Sequence, residues 1–375
     1  MTITLRSDFD SGNIEVLSHV DGRFDLAIRK DKDSDFYQWF HFRVDGSLGL
    51  PLELRLTNAG GSAYPAGWPD YQACVSEDGE TWRRTQTSYH EGILTIRHTP
   101  SSQSVWFAYF APYSSNRHAE LVARYAKVPG LSHTVLGTTL DGRPLDLLSL
   151  GSGPLQVWLY ARQHPGETMA EWWMEGALAA LTSDDPAILT LRSQATFHIV
   201  PNMNPDGSAR GHLRTNAVGV NLNREWVSPS LERSPEVFHV LEQMSKRGVD
   251  FAIDVHGDEA IPHVFMAGFD GIPSLTQRQM DGYSAYVNAL RDQARDFQTQ
   301  EGYPKNAPGK ANLTISGNQL AERFGAVSMT LEMPFKDHVD MPDPIHGWSP
   351  ERSRNLGSDC VYALANLLNT MSLKA

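Results

Sequence analysis

Residues 156–181 read QVWLYARQHPGETMAEWWMEGALAAL, which is an apolar run, a polar turn and a helix-like run. The apolar residues 156–161 predict a buried strand, and residues 169–181 predict the helix that follows it. The proline and glycine of the turn bend the backbone, so the turn leaves the sheet. His164 and Glu167 lie in this turn three residues apart, and both side chains can face one cation. The stretch therefore predicts a metal site on a strand-to-helix turn.

The chain after Pro112 repeats this alternation of apolar runs and longer helical stretches. Such alternation is typical of an α/β domain with a mixed, mainly parallel sheet flanked by helices. Strands are predicted at residues 135–139, 145–150, 156–161, 195–200, 251–255 and 327–331. Helices are predicted at residues 116–125, 169–181, 236–246, 275–297, 318–324 and 353–371.

The chain before Pro112 has a different texture, with short alternating stretches such as residues 52–56 between turn signals. Period-two alternation predicts half-buried strands, and a glycine after an acidic residue predicts a hairpin turn between them. Such turns are expected at Asp45-Gly46, Asp78-Gly79 and Glu91-Gly92. We therefore expect an antiparallel β-sandwich domain at residues 1–115, followed by the α/β domain at residues 116–375.

Composition argues against several classes of protein. The formal charge of -12 and the lack of a basic run disfavour nucleic-acid binding. No stretch approaches the roughly 20 apolar residues of a membrane span, and residues 1–10 lack an export signal. We therefore expect a cytoplasmic protein that binds neither nucleic acid nor membrane. With only two cysteines, Cys74 and Cys360, any metal must be held by His, Asp and Glu. No heptad seam is visible, so the sequence predicts no oligomeric state.

Four of the predicted strands are followed by polar residues that suit metal-assisted hydrolysis. Besides His164 and Glu167, these are residues 204–207, His256 and Glu332. Ligands of open α/β sheets bind outside the carboxyl ends of the strands. We therefore expect one crevice to collect all four groups.

The chemistry of these residues points to zinc. Two imidazoles and one carboxylate, from His164, His256 and Glu167, form the ligand set of a catalytic zinc that keeps one position open for water. The metal lowers the pKa of such a water toward 7, and Glu332 is the candidate general base that takes its proton. The developing oxyanion also needs a positive donor, for which there are two candidates, Arg162 and Arg214.

Together with their neighbours, these residues resemble the zinc metallocarboxypeptidases (peptidase family M14) of the carboxypeptidase A superfamily, and among them the cytosolic carboxypeptidase-like subfamily. The motifs that carry the resemblance are His164-Pro165-Gly166-Glu167, Asn204-Pro205-Asp206-Gly207, Leu213-Arg214, Asn221-Leu222-Asn223-Arg224-Glu225-Trp226, Asp254-Val255-His256-Gly257 and Thr330-Leu331-Glu332. Residues 38–42 and 106–113 also resemble that subfamily's β-sandwich, which digestive carboxypeptidases lack. The resemblance implies a carboxypeptidase A-like catalytic domain.

The resemblance also implies a role for each catalytic residue. His164, Glu167 and His256 would be the ligands of one Zn²⁺ per chain. Glu332 would be the general base. Arg214 would polarise the scissile carbonyl of the substrate.

Substrate binding is implied in the same way. Asn223 and Arg224 would bind the free C-terminal carboxylate of a peptide, which suits the planar fork of arginine. Tyr303 would be the family's mobile tyrosine, since it lies seven residues before Lys310, which would be the specificity residue. The family commonly has Asp where this chain has Asn221, whose amide oxygen can still accept a hydrogen bond from a zinc-bound imidazole but tunes it less strongly.

The expected substrate is the C-terminal tail of a peptide or protein. A basic residue at the specificity position suits acidic side chains, so Lys310 favours C-terminal Glu or Asp. Two alternatives stay open. One is a zinc-dependent amidoacylase that resembles succinylglutamate desuccinylase or aspartoacylase and acts on N-acyl amino acids. The other is a non-catalytic, zinc-dependent peptide-binding module, which the presence of Glu332 disfavours.

Other polar residues have structural interpretations. His198 is expected to be a strand residue. Asp254 and Asp258 flank His256 and are candidates for holding its ring. A proline-rich acidic loop follows Glu332 and is expected to be a solvated connection near the mouth of the crevice; it contains Asp337, His338, Asp340 and Asp343.

Overall fold

The protein is described here by a computed structural model that covers residues 3–368. Its first part is built from ten strands whose alternate apolar residues enter one core. The strands are β1 (Thr4–Arg6), β2 (Glu15–Val20), β3 (Arg23–Ala27), β4 (His41–Asp45), β5 (Leu52–Leu56), β6 (Cys74–Ser76), β7 (Arg83–Arg84), β8 (Thr87–His90), β9 (Ile93–His98) and β10 (Ser104–Ala108).

These strands form two five-stranded sheets, in the orders β1-β4-β10-β6-β7 and β2-β3-β5-β9-β8. The pairs are antiparallel except for β3 and β5, which run parallel. The predicted sandwich is therefore confirmed, with one parallel pair inside it. Glu91-Gly92 joins β8 to β9 with φ of 47° and 80°, as a two-residue hairpin requires. The hairpin predicted at Asp45-Gly46 is absent, because these residues connect β4 to β5, which lies in the other sheet.

The second part of the chain alternates strands and helices. The strands are β11 (Leu131–Thr138), β12 (Pro144–Gly151), β13 (Leu155–Ala161), β14 (Ala195–Val200), β15 (Phe251–Asp258), β16 (Phe265–Ala267) and β17 (Val327–Pro334). The helices are α1 (Ser115–Tyr125), α2 (Met169–Leu181), α3 (Pro186–Gln194), α4 (Pro205–Arg210), α5 (Pro235–Arg247), α6 (Gln277–Gln293), α7 (Ser316–Phe324) and α8 (Pro350–Leu368). Within residues 3–368, none of the helices has the length and apolar character that crossing a membrane requires.

The seven strands form one mixed sheet in the order β11-β12-β14-β13-β15-β17-β16. The central strands β14, β13, β15 and β17 are parallel, and the outer pairs are antiparallel. Val157 and Leu159 of β13 join the core that contains α2 and α8, whereas Trp158 and Tyr160 join the core that contains α5 and α7. The expected mixed α/β domain is therefore confirmed. Because β14 and β15 lie on opposite sides of β13, a crevice opens at the carboxyl end of β13.

Several elements differ from the prediction. Strands β15 and β17 continue past residues 255 and 331, so His256 and Glu332 lie inside paired strands rather than after them. The predictions omit α3 and α4, although both helices begin with a capping residue, Asp185 or Asn204, and then proline. The last predicted helix corresponds to α8, and residues 369–371 of that prediction lie outside the described residues.

The sandwich packs directly on the α/β part. The rings of Tyr109 and Phe335 stack with 4.4 Å between their centroids. The guanidinium of Arg84 donates to the carbonyl oxygens of Phe335, His346 and Trp348 at 2.8–3.0 Å. Because the chain leaves the sandwich sheets after β10 and enters α1, we propose domains at residues 1–115 and 116–375.

Candidate active site

The predicted metal turn begins at the carboxyl end of β13. Arg162 has φ of 59°, a left-handed conformation that turns the chain out of the sheet. Gly166 approaches Leu213 so closely that a Cβ atom would lie 2.8 Å from the Leu213 carbonyl oxygen. The Gly166 N–H donates to the same oxygen at 2.9 Å. The turn thus places His164 and Glu167 on the wall of a cavity.

The structure brings His164, Glu167 and His256 together. The Nδ1 atoms of the two histidines lie 3.1 Å apart, and each is 2.7 Å from one oxygen of Glu167. The three side chains are at most 5% exposed. Tetrahedral zinc with bonds of about 2.0–2.2 Å separates its ligand atoms by roughly 3.3 Å. The set therefore fits one Zn²⁺ with little movement.

Each imidazole is oriented through its second nitrogen. Nε2 of His164 lies 3.2 Å from Oδ1 of Asn221, and Nε2 of His256 lies 2.8 Å from Oδ2 of Asp254. Because both oxygens are acceptors, Nε2 carries the proton and Nδ1 keeps a lone pair for a metal. Gln163 holds Asp254 in turn, with its Nε2 2.6 Å from Asp254 Oδ2.

The electrostatics of the cluster favour a cation. Burial and then the charge of Arg214 lower the pKa of His164 to about 4, so this ring is neutral. Burial raises the pKa of Glu167, but His164 and His256 outweigh it and bring the pKa below its ordinary range. Burial lowers the pKa of His256, but Asp254 and Glu167 outweigh it and bring the pKa well above its ordinary range. A positive charge is therefore favoured here, either as a proton on His256 or as a metal ion.

Glu332 lies on β17 as the register partner of His256. The residue is 6% exposed, and its Oε2 has no hydrogen-bond partner among the described residues. Burial raises the pKa of Glu332 well above its ordinary range, while the charge of His256 lowers it. An unpaired, buried carboxylate oxygen beside the candidate ligands is placed to accept a proton from water.

Tyr303 reaches the same point from the mouth of the cavity. The residue is 48% exposed, and its hydroxyl donates to Oδ2 of Asp258 at 2.6 Å and to Oε1 of Glu332 at 3.2 Å. Burial of the hydroxyl end and the charges of Glu332 and Asp258 raise the pKa of Tyr303 above its ordinary range. The hydroxyl therefore stays a hydrogen-bond donor.

Arg214, Asn223 and Arg224 line the same cavity, which measures about 420 Å³. The guanidinium of Arg214 lies over the rings of Phe36 and Tyr64, at 5.6 and 5.3 Å from their centroids. Burial and then the charge of Arg214 lower the pKa of Arg224. The two arginines therefore repel each other, and a carboxylate bound between them would relieve that repulsion.

The structure does not bring Lys310 to the cavity. Lys310 is exposed and is not among the lining residues, whereas Lys305 is. A turn causes the difference, because Gly309 has φ of 71° and the Lys310 N–H donates to the Ala307 carbonyl. Lys310 therefore does not line the cavity in this structure, and its role as the specificity residue stays a prediction.

Arg162 and residues 204–207 were also predicted to face the crevice. Instead they form hydrogen bonds to the backbone of the turn that carries His164 and Glu167. Arg162 is 1% exposed and donates to Oε2 of Glu171 at 2.7 Å and to the carbonyl of Pro165 at 2.6 and 3.0 Å. Arg162 and Arg214 were the two candidate donors to the oxyanion, and of these only Arg214 lines the cavity. Residues 204–207 do not line it either, since Asn204 caps α4 and donates to the Gln163 carbonyl at 3.1 Å.

Sequence reasoning missed Asp31, a sandwich residue that holds the Arg214 segment. Its Oδ1 accepts from the Leu213 N–H at 2.7 Å, and its Oδ2 accepts from the Arg214 and Thr215 N–H groups at 2.8 and 2.9 Å. Asp31 is 2% exposed. The partners are 182–184 residues apart along the chain, so no local pattern could have found them.

A buried chain of charges connects Arg162 to the surface. Glu171 lies 2.6 Å from Nδ1 of His118, and Asp146 lies 3.2 Å from Nε2 of His118. Asp146 also lies 2.6 Å from Nε2 of His133, which is 29% exposed. Burial lowers the pKa of His118, but Glu171 and Asp146 outweigh it and raise the pKa to about 9.

His118→Gln is expected to change how folding stability depends on pH. Because the folded pKa of about 9 exceeds the ordinary 6.5, the stabilisation by His118 is complete below pH 6.5 and is lost as pH rises through 9. Over that window the free energy of unfolding should fall by about 3 kcal/mol more in the wild type than in the variant. Urea unfolding at several pH values measures this difference. The exposed His90→Gln serves as control, and an unchanged pH slope in His118→Gln would refute the assignment.

Comparisons with known proteins agree with this geometry. A family model described as "Cytosolic carboxypeptidase N-terminal domain" matches residues 5–110, and one described as "Zinc carboxypeptidase" matches residues 118–261. The metallo-carboxypeptidase from Pseudomonas aeruginosa, solved in complex with (2-guanidinoethylmercapto)succinic acid, is 45% identical over 98% of this chain and 99% of its own, with a TM-score of 0.95. The chain belongs to the zinc carboxypeptidase family.

Two further relatives differ in how much of their own length matches this carboxypeptidase. An uncharacterized protein of Zymomonas mobilis is 57% identical over 100% of this chain and 98% of its own length. Cytosolic carboxypeptidase 4 of Mus musculus is 28% identical over 71% of this chain, and the match spans 28% of that relative's length. The predicted family, its N-terminal module and a hydrolase function are confirmed.

Proposed function

We propose that this chain is a zinc-dependent metallocarboxypeptidase that removes single residues from the C-termini of peptides or protein tails. The observation that carries the proposal is the convergence of His164, Glu167 and His256 beside Glu332, with donor atoms 2.7–3.1 Å apart. These three residues would hold one Zn²⁺ per chain. When bound, the metal would act as a Lewis acid that brings the pKa of water toward 7.

The residues around that centre each have a task in peptide hydrolysis. The free Oε2 of Glu332 would take the proton of the attacking water and pass it to the leaving amine. The guanidinium of Arg214 would face the oxyanion that develops on the scissile carbonyl. The Tyr303 hydroxyl would donate a hydrogen bond within the same cavity.

Asn223 and Arg224 would make the enzyme an exopeptidase by binding the free C-terminal carboxylate. Arg224→Met is expected to raise KM for a peptide with a free C-terminus about 10- to 100-fold, since a hydrogen bond to a charged group contributes about 1.5–3 kcal/mol. The amidated peptide is not expected to be cleaved, so it is added as a competitor, and its inhibition constant should change little. Steady-state kinetics on both peptides measure this, with Arg233→Met, a 64% exposed arginine outside the cavity, as control. An equal weakening of the free and the amidated peptide would argue against carboxylate binding by Arg224.

We further propose a preference for C-terminal Glu or Asp, in which Lys305 would bind the acidic side chain of the substrate. Its Nζ is 3.9 Å from Oδ1 of Asp270, and its side chain is 77% exposed, so it can turn toward a second carboxylate. The ligand of the Pseudomonas relative is a succinic acid with a guanidino group. In this chain, the two carboxylates of such a ligand could pair with Arg214, Arg224 and Lys305, whereas its guanidinium could pair with Asp270.

A panel of peptides that end in Glu, Leu or Lys, with N-acyl amino acids added, tests the preference. Faster release of Glu than of Leu is expected, and Lys305→Met should reduce that ratio. Faster release of Leu than of Glu would contradict the acidic preference. Faster release of Lys than of Glu would indicate that Asp270 binds the substrate side chain instead. Hydrolysis of N-acyl amino acids alone would favour the amidoacylase.

We also propose a cytoplasmic location without nucleic-acid or membrane partners. The support is the name "cytosolic carboxypeptidase" of the relatives and the formal charge of -12. Recovery of the protein in a membrane pellet would contradict the proposal.

A further inference from the structure

A second set of potential metal ligands lies outside the cavity. His263 precedes β16, while His338 and Asp340 belong to the acidic loop between β17 and α8. One ligand atom from each of the three residues lies within 4.8 Å of the other two. The set again contains two imidazoles and one carboxylate, and none of its members lines the cavity.

His338 is prepared as a neutral ligand. The residue is 2% exposed, and its Nε2 lies 2.8 Å from the carbonyl oxygen of Asp296. Because a carbonyl can only accept, Nε2 carries the proton and Nδ1 has the lone pair, which accepts a hydrogen bond from the Asp340 N–H at 3.2 Å that a metal ion would have to replace. A histidine held by a carbonyl in this way is the usual arrangement of a metal ligand.

His263 and Asp340 complete the set. Nδ1 of His263 is buried without a hydrogen-bond partner among residues 3–368, although Oδ2 of Asp340 lies 3.2 Å away as an ion-pair partner. A buried nitrogen in this position is satisfied either by a proton shared with Asp340 or by a cation that both residues bind. The Asp340 side chain is 61% exposed, so an ion can enter from solvent.

Two other carboxylates nearby already share an arginine partner. Arg352 pairs with Asp296 at 2.7 Å and with Asp337 at 3.4 Å. Asp340 has no such arginine partner in the described part of the chain, and its charge faces the two imidazoles.

We propose that His263, His338 and Asp340 bind a second, peripheral divalent transition-metal ion, with Zn²⁺ as the expected occupant and water in its remaining positions. The ion would fasten the acidic loop to the segment before β16, where the Val339 N–H already donates to the Pro262 carbonyl at 3.1 Å. Strand β16 pairs with β17 at Phe265 and Glu332, so the ion would stabilise one wall of the cavity without entering it.

Metal counting tests this site. Untagged protein, freed of metal by a chelator, is titrated with Zn²⁺ or Co²⁺ alone, and bound metal is measured by calorimetry and elemental analysis. The wild type should bind two equivalents, and the second should raise Tm. Asp340→Asn, at an exposed position, and His263→Gln should each weaken the second equivalent about tenfold or more. His346→Gln, a 47% exposed histidine of the same loop, should keep both equivalents.

A further variant separates this site from the proposed catalytic one. His164→Gln with Glu167→Gln should retain one equivalent and its rise in Tm, and adding Asp340→Asn should remove it. Wild-type protein that binds a single equivalent, lost in His164→Gln with Glu167→Gln, would overturn the inference. A second equivalent that survives both Asp340→Asn and His263→Gln would also overturn it. Metal at this site but none at His164 would instead refute the proposed function alone.

Discussion

Glu332→Gln is expected to lower kcat for peptide hydrolysis by about 10²- to 10⁴-fold, which is the usual contribution of a general base. The amide has nearly the same shape as the carboxylate but cannot accept the proton of water. Bound zinc should stay near one equivalent in the catalytic site, because Glu332 is not among the three clustered ligands. Stopped assays on a single peptide, with zinc quantified on each sample, measure both quantities.

The control for this variant is Glu301→Gln, at an exposed residue outside the cavity, which should keep wild-type kcat. The pH profile gives a second readout. Burial raises the pKa of Glu332, so the acidic limb of kcat/KM should lie above the ordinary range of a glutamate and should disappear in the variant. Unchanged kcat in Glu332→Gln would assign the proton transfer to another group.

Asp31→Asn is expected to lower kcat/KM about 10- to 100-fold, although Asp31 lies in the sandwich and is not among the residues that line the cavity. Its carboxylate accepts three backbone N–H groups around Arg214 at 2.7–2.9 Å. An amide at this position loses the charge that strengthens those bonds, so the Arg214 segment loosens. Small displacements of a positioning group can cost about 10²-fold in rate.

A double-mutant cycle shows whether Asp31 acts through Arg214. In an Arg214→Ala background, Asp31→Asn should change kcat/KM by less than about threefold, because the group that it positions is already missing. Asp35→Asn, whose side chain is 97% exposed in the same loop, is the control. Full additivity of the two changes would mean that Asp31 acts on stability rather than on Arg214.

The parts of the site that follow from local sequence were predictable. The apolar run, the Pro-Gly turn and the helix over residues 169–181 placed His164 and Glu167 correctly at the end of a strand. His256 and Glu332 were also found, because each follows an apolar run. Their strands extend further than expected, since β15 and β17 continue to pair through His256 and Glu332 up to Asp258 and Pro334.

The parts that depend on distant contacts were not predictable. Lys310 was chosen by its spacing from Tyr303, but the path of that loop is set by contacts such as the bond from the Ala311 N–H to the Gly271 carbonyl. Asp31 and Tyr64 reach the site from the sandwich part of the chain. No periodicity or motif in a single sequence encodes such pairs. By contrast, helices α3 and α4 carried capping signals that hydrophobic periodicity alone overlooks.

The most direct test of the carboxypeptidase proposal uses zinc-loaded wild-type protein and one peptide in two forms, with a free and with an amidated C-terminus. Products are identified by mass spectrometry over time, with and without a chelator. Stepwise loss of single C-terminal residues from the free peptide only, abolished by the chelator and restored by Zn²⁺, is the predicted result. Internal cleavage, equal cleavage of both forms, or no cleavage by protein that holds zinc at His164, Glu167 and His256 would contradict it.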